Sequence, residues 1–428
     1  MVSSTAFVKG PWGWLHQGNA WIVVLIVLAG LAMTGAVSAA TPITGPIVIT
    51  VPGDYYLANS IINSGSKICI DITVPNVVLD GKGQTIDGVD SSDSIGIRAW
   101  NAGMTLFNVV VKNIVASDWG TGVFYSDVKN SQLEKVTVSN NTGNGIALAN
   151  SIRNTIKTCT AGANGGTGII LYANSDSNTL TGNTASANIL DGIRIRFSSN
   201  NDVLNNKLLV NKGSGINFNE AGNFNTVTGN TMTGNLGDGI TLYKSSGNLI
   251  SKNTLKYNVG GITLNPDSFN NEISQNTVQN STYNGVLLMN NANNNMVMGN
   301  TFDMNSDSGI RIVRSGENTV TNNYVRNNMK EGIYLWDTGT VSNVIVNNYF
   351  YNNKNAGVYA PAGANTWNLT QSAKVSITGG KNSGGNSWGQ PNGLGFSQIT
   401  PATNGICNQP YVLATNNVDR LPLQWAKK

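Results

Sequence analysis

Asp191 and Asp238 each precede a glycine in matching contexts: Asp191-Gly-Ile-Arg-Ile-Arg196 and Asp238-Gly-Ile-Thr-Leu-Tyr243. Paired carboxylates cleave glycosidic bonds, one as general acid and the other as base or nucleophile. Arg194, Arg196 and Lys244 lie beside them and would balance the charge of an acidic sugar. Rings and cations recur in the same contexts. Trp100, Tyr172, Arg194, Arg196, Tyr243, Arg311 and Trp336 stand two or four residues past such a glycine. Rings stack on sugar faces, and guanidinium groups bond hydroxyls or carboxylates. These seven are the candidate ligand-binding residues, and Asp191 with Asp238 is the candidate catalytic pair.

What must position them is a repeat. Gly-Ile or Gly-Val pairs begin at Gly96, Gly122, Gly145, Gly168, Gly192, Gly215, Gly239, Gly261, Gly285, Gly309, Gly332 and Gly357, at intervals of 22 to 26 residues. That period is too short for a helical-hairpin repeat and suits one coil of a β-solenoid. A second run follows, as in Asn225-Thr-Val-Thr-Gly-Asn230, and a third short piece carries one apolar residue, such as Met232 or Leu255. Strand alternation turns Ile193 and Ile195 inward, and Arg194 and Arg196 outward. The same rule buries Ile240, Leu242, Ile262 and Ile310. Stacking places like positions about 4.8 Å apart, which puts Asp191 and Asp238, two coils apart, at roughly 10 Å. An inverting glycosidase separates its carboxyls by about 6.5–9.5 Å. The plain alternative is a pair of solvated corner acids, since the chain has 22 acids and no dense Asp/Glu cluster.

Asn183, Asn206, Asn230, Asn253, Asn276, Asn300, Asn323 and Asn348 form a column. Turn chemistry accounts for it: Asn tolerates the left-handed backbone of a tight corner, and its amide can bond copies above and below. Cys159 takes the same slot one coil earlier and is expected to be a buried thiol.

The chain has 428 residues, 11% charged, with a net charge of +4. Charge this sparse is well below the usual ~25%, and no Lys/Arg block points to nucleic acid. Cys69, Cys159 and Cys407 are odd in number and far apart, so no disulfide framework is expected. His16 is the only histidine, which argues against a zinc or type-1 copper site; no metal and no cofactor are expected. Met296, Met298 and Met304 could offer thioethers to Cu(I), although surface packing explains them as well.

Residues 21–33 are an apolar run with Lys9 upstream and a small-residue site at Val37-Ser-Ala-Ala40, the pattern of a secretory signal peptide. An uncleaved N-terminal anchor, the one expected membrane contact, is the alternative. Asn140, Asn280 and Asn368 head sequons for N-glycosylation.

Two further stretches carry a resemblance: Pro52-Gly-Asp-Tyr-Tyr-Leu57 with Asn76-Val-Val-Leu-Asp-Gly-Lys-Gly-Gln-Thr-Ile-Asp-Gly88, and a tail with Gly384-Gly-Asn-Ser-Trp388 and Asn417-Val-Asp-Arg-Leu-Pro-Leu423. With the coil motif they make residues 47–423 resemble the NosD-like proteins of the carbohydrate-binding and sugar-hydrolysis β-helix superfamily. The tail is similar to that of surface proteins of methanogenic archaea. The resemblance implies a right-handed helix and an exported protein, but no single activity. Family tails often carry an Asp-rich stretch where this chain has Thr403-Asn-Gly-Ile-Cys-Asn-Gln409, so a calcium loop is not expected there.

The expected architecture is an all-β, single-stranded right-handed parallel β-helix of about twelve coils. A leader (1–40) precedes an N-terminal cap with the first coils (41–95), the repeats (96–360) and an irregular C-terminal cap (361–428). The expected function is a non-catalytic cell-envelope component that binds a polysaccharide or envelope glycan, or associates with itself. The alternative is a polysaccharide lyase or glycoside hydrolase.

Overall fold

Alternation sorts the side chains of every coil. In the strand Ile193–Arg196 both isoleucines are buried and both arginines face outward. Ile240, Leu242, Ile262 and Ile310 are likewise fully buried, each worth about 1.5–3 kcal/mol of removed apolar surface. The computed structural model describes residues 39–426. The expected leader, apart from Ala39 and Ala40, and His16 lie outside the described residues.

Successive Gly-Ile strands pair in parallel, Ile193 beside Ile216, Ile216 beside Ile240, and Ile240 beside Ile262. They build a fourteen-stranded sheet from Ile47–Ile49 to Lys354–Tyr359. The second and third strands of the coils, such as Thr226–Thr228 and Thr231–Thr233, join a twenty-five-stranded sheet. The result is a right-handed parallel β-solenoid of a dozen or more turns, and one core fills it from Ile43 to Trp388. Residues 41–95 already belong to these sheets, with Ile47, Ile70 and Ile97 in one column.

The glycines serve close packing. At Gly215 an added Cβ would lie 2.6 Å from the carbonyl oxygen of Gly239, so consecutive coils touch there backbone to backbone. The register departs once from the even spacing. Tyr334 pairs with Gly357, and Trp336 with Tyr359. The twelfth glycine therefore sits two residues out of its column, in an outward slot.

The asparagine column is a hydrogen-bonded ladder. The backbone N–H of Asn206 donates to Asn230 Oδ1 at 2.8 Å, and its Nδ2 donates to the same oxygen at 3.0 Å and to the Leu180 carbonyl at 2.9 Å. Its own Oδ1 accepts both donors of Asn183. The left-handed backbone falls on the preceding residue, which corrects the expectation. Gly182, Asn205, Gly229 and Lys252 have positive φ, and the ladder asparagines do not. Cys159 starts this ladder, donating its N–H to Asn183 Oδ1 at 2.8 Å, and burial pushes its thiol up to about 12. A parallel ladder runs from Asn154 through Asn178 and Asn201, and a third from Asn141 through Asn164 and Asn188.

The tail closes two ladders and the core. Asn365 donates its N–H to Asn417 Oδ1 at 3.1 Å, and Asn386 donates its N–H to Asp419 Oδ2 at 2.8 Å. Trp388 stacks on Phe350 at 4.8 Å and donates its indole N–H to Asp419 at 2.9 Å. A side chain at Gly385 would overlap the Asp419 carboxylate. The segment lacking carboxylates forms a small antiparallel hairpin, Ala402–Thr403 with Ile406–Cys407, whose turn residues Asn404 and Gly405 take φ of 54° and 86°.

Two outcomes follow. Replacing Asn253 by Ala strands the buried N–H of Asn230 and the Val227 carbonyl, and should cost about 3 kcal/mol in denaturant unfolding. The second concerns pH. Burial pushes the Asp419 carboxyl up to about 6, against the N–H donors that favour its charged form. The folded cap therefore holds a proton that the unfolded chain, with a pKa of about 3.9, releases. That contribution is fully present below about pH 4 and is lost as pH rises through about 6. Tryptophan fluorescence should show the cap unfolding more easily at neutral pH than at about pH 5, and Asp419→Asn should flatten that slope.

Candidate functional site

The outer face of the fourteen-stranded sheet carries the predicted site residues in three columns. The first column holds the residue before each glycine, the second the residue two past it, and the third the residue four past it. Arg194 and Arg311 stand in the second column, and Tyr172, Arg196, Tyr243 and Trp336 in the third. Trp100 follows directly on the strand Ile95–Ala99 and continues the third column. All seven lie on one side, but not at one spot. Tyr172 and Arg196 are neighbours, Tyr243 lies two coils beyond Arg196, and Trp336 four coils further.

Most of the cations are already paired. Arg194 meets Asp191 at 2.6 Å, Arg196 meets Glu220 at 2.8 Å, Arg311 meets Asp307 at 3.3 Å, and Arg98 meets Asp71 at 2.6 Å. Their planes remain available to rings. Arg98 lies 5.0 Å from the Trp100 ring centre, Arg196 4.9 Å from Phe197, and Arg311 4.6 Å from Tyr334. Such contacts hold rings flat against the sheet.

The acids differ from each other. The Asp191 side chain is only 3% exposed and accepts from Arg194, from the Ser214 N–H at 2.8 Å and from Asn217 Nδ2 at 3.1 Å. It is a buried, fully engaged carboxylate, not a solvated corner acid. Asp238 accepts from Thr241 Oγ1 at 3.1 Å, and burial pushes its carboxyl up, against bonds from Thr263, Thr241 and the Gly260 backbone. Ser214 Oγ and Thr241 Oγ1 lie 3.1 Å apart, so a hydroxyl chain connects the surroundings of the two acids.

Besides a hollow of about 420 Å³ lined by Trp100, Met104 and Asp127, two concave stretches interrupt the face. One, about 350 Å³, is lined by Asn144, Ile170, Tyr172, Ala173, Arg196 and Phe197. The other, about 270 Å³, runs from Ser92 and Ile95 past Thr121, Phe124 and Ala147 to Asn144 and Tyr172. Sharing Asn144 and Tyr172, they form one groove across five coils. Hollows beside the C-terminal cap are lined mainly by small polar residues, and their one ring, Trp367, is buried. Phe197 escaped the sequence reading because it sits at a corner with φ 47°, where alternation does not assign a direction.

A second grouping lies at the far end. Tyr359 folds back over Gly357 to meet Tyr334 at 4.9 Å. Its hydroxyl donates to Glu331 at 2.8 Å and accepts from Lys354, which also bonds Glu331 at 2.9 Å. The register shift at Gly357 creates this arrangement, and even spacing conceals it.

Of the sequons, Asn140 is exposed and Asn280 half-buried, both at corners with positive φ. Asn368 Oδ1 accepts the Arg420 N–H at 2.9 Å. Met296 and Met304 are exposed, but Met296 stands on the strand Met296–Met298 and Met304 at the corner after Thr301–Asp303.

Residues 209–393 match the family described as periplasmic copper-binding protein (NosD), and residues 95–255 match the right handed beta helix region. A type-1 copper site would need imidazole and thiolate donors. Cys69, Cys159 and Cys407 are buried apart, and among the described residues no group of three or more His, Cys, Asp or Glu could hold a metal ion. Those donors do not come together for a type-1 copper site among the described residues. No curated protein matches the chain. Among solved structures, the A-module of the Azotobacter vinelandii mannuronan C-5 epimerase AlgE4 is 17% identical, with a TM-score of 0.51 over 76% of this chain and 91% of that one. The periplasmic alginate epimerase AlgG is 15% identical, with a TM-score of 0.43 over 71% and 78%. PfbA, a surface adhesin of Streptococcus pneumoniae, is 12% identical, with a TM-score of 0.47 over 67% and 84%. At these identities the likeness is one of fold. Sheet register, coil motif and family matches agree on the fold: the chain is a right-handed parallel β-solenoid, similar over residues 209–393 to the NosD family.

Proposed function

We propose that the protein is an exported cell-envelope component that binds an extended carbohydrate along the outer face of the fourteen-stranded sheet, with its strongest grip in the Tyr172 groove. The observation that carries this reading is the groove itself. Phe124, Tyr172 and Phe197 line one depression over five coils, with Ile170 and Ala147 along it and Arg196 at its end. Rings and an apolar floor suit the flat faces of sugars, and the neighbouring asparagine and threonine suit hydroxyls. Because the nearby arginines are ion-paired, stacking contributes more than net charge. The periplasmic description of the matched family supports the location.

Tyr172→Ala should weaken retention on the bound polysaccharide about three- to tenfold, with little loss at moderate salt. The check is affinity electrophoresis against neutral and acidic polymers, mannuronan included. Tyr243→Ala with Trp336→Ala should have a smaller effect, since those rings stand outside the groove. Full retention in Tyr172→Ala, with dichroism unchanged, would refute the groove.

Glycan cleavage is the second reading, and the state of Asp238 favours it. A half-buried carboxyl whose proton is held to higher pH is what a general acid requires. Asp191, enclosed by its donors, would act through the Ser214–Thr241 hydroxyls as a positioning residue. Activity on a glycan panel should fall as pH rises, and Asp238→Asn should lower it at least about a hundredfold. Undiminished turnover in that variant would remove the enzyme reading.

A further inference from the structure

Each coil turns from its third strand into the next Gly-Ile strand through a corner whose ladder residue faces in. The residues on either side of Asn188, Asn211, Asn235, Asn258 and Asn328 face out. Here the chain places large apolar side chains where turn chemistry asks for small polar ones. Ile189, Val210, Leu236, Tyr257, Tyr283 and Met329 are all exposed, Leu236 at 65% and Met329 at 73%. With the exposed Met304 they run as a ridge along one edge over seven consecutive coils, about 30 Å at the stacking distance, with Ile189, Leu236 and Met329 just after the ladder residue and Val210, Tyr257 and Met304 just before it. Single exposed apolar residues are ordinary, but one in every coil along the same corner marks an interaction surface.

Charge on the same edge is one-sided. Every carboxylate there is drawn inward and bonded: Asp191 to Arg194, Asp238 to Thr241, Asp303 to Arg326, Asp307 to Arg311 and Lys330, and Glu331 to Lys354. Lys207, Lys212 and Lys256 flank the ridge, half-buried to exposed, with no ion pair among the described residues. A convex apolar ridge bordered by unpaired lysines complements an anionic lipid surface. Apolar tips sink into the boundary between headgroups and acyl chains, while lysines reach the lipid phosphates. Two such convex corners would meet only along a line, which disfavours a second copy of this chain as the occupant.

We propose that this ridge lays the solenoid on its edge against an anionic bilayer surface, leaving the sheet face with the Tyr172 groove open to a glycan. The test uses the full chain with Leu236→Cys, labelled with a polarity-sensitive dye. The native cysteines are all buried, so the label goes to the new thiol. Phe224→Cys, at the other corner of the same coils, is the control. Phosphatidylglycerol vesicles should shift the dye at 236 to the blue, and phosphatidylcholine vesicles should not. The control should shift with neither, whatever residues 1–38 do on a membrane. Lys207→Glu, Lys212→Glu and Lys256→Glu together should weaken the response at least about tenfold. If that variant loses its dichroism, added salt should weaken the parent's response instead. The proposal fails if position 236 does not respond, if 236 and 224 respond alike, or if lipid charge makes no difference. It also fails if the shift appears without vesicles and grows with protein concentration, which would assign the ridge to self-association, or if it appears only with glycan.

Discussion

Buried asparagine amides, each bonded to the copy in the next coil, are the interaction on which the solenoid depends. A chain that turns three times per coil must bury corner N–H and C=O groups that no strand partner reaches. The ladder side chain meets that need three ways at once: its oxygen takes donors from the coil before, and its nitrogen serves both the next oxygen and a core carbonyl. Spacing between copies is fixed by the sheet, so insertions must fall on the corners outside the ladder. Such a ladder also needs ends. At the start stands a cysteine, whose backbone N–H joins the ladder and whose thiol donates to the Lys157 carbonyl at 3.4 Å. At the finish Asn417 and Asp419 take the last donors while Trp388 covers the last core residue. The tail that looked like a family signature is thus a terminator.

The repeat was readable because period, alternation and turn residues all pointed to one coil. Ile193, Ile240 and Ile310 needed only the period-two rule. What spacing could not reveal were choices made by neighbours in three dimensions. It placed the left-handed backbone on the ladder asparagines, whereas Asn205 and Lys252, one residue earlier, carry it. It counted Gly357 as one more coil glycine, although the pairing puts it opposite Tyr334. It treated Asp191 and Asp238 as equivalent, yet one is enclosed by an arginine and two amide donors and the other is pushed up by burial. Sequence alone does not say which outward rings fall beside small residues, such as Ala147 and Ala173, and so open a groove.

The division of surfaces follows from the same scaffold. A sheet face is flat, so its rings can meet a polymer lying along the axis. A corner is convex, so its side chains can only insert into something soft. Pairing most of the arginines with acids keeps the face close to neutral, so the glycan binding proposed for it would rest on shape and stacking. Chemistry, if the chain performs any, is confined to the few positions where a carboxyl is half-buried beside hydroxyls, and Asp238 is the clearest of them.

Native-state hydrogen exchange, resolved by residue on the full chain, probes the central claim most directly. The backbone amides of Asn183, Asn206, Asn230 and Asn253 should be among the slowest and should open together, because each depends on the amide of the next coil. Corner amides exchanging quickly while the Gly-Ile strands stay protected would contradict this, and would leave the apolar columns alone as what holds the coils in register.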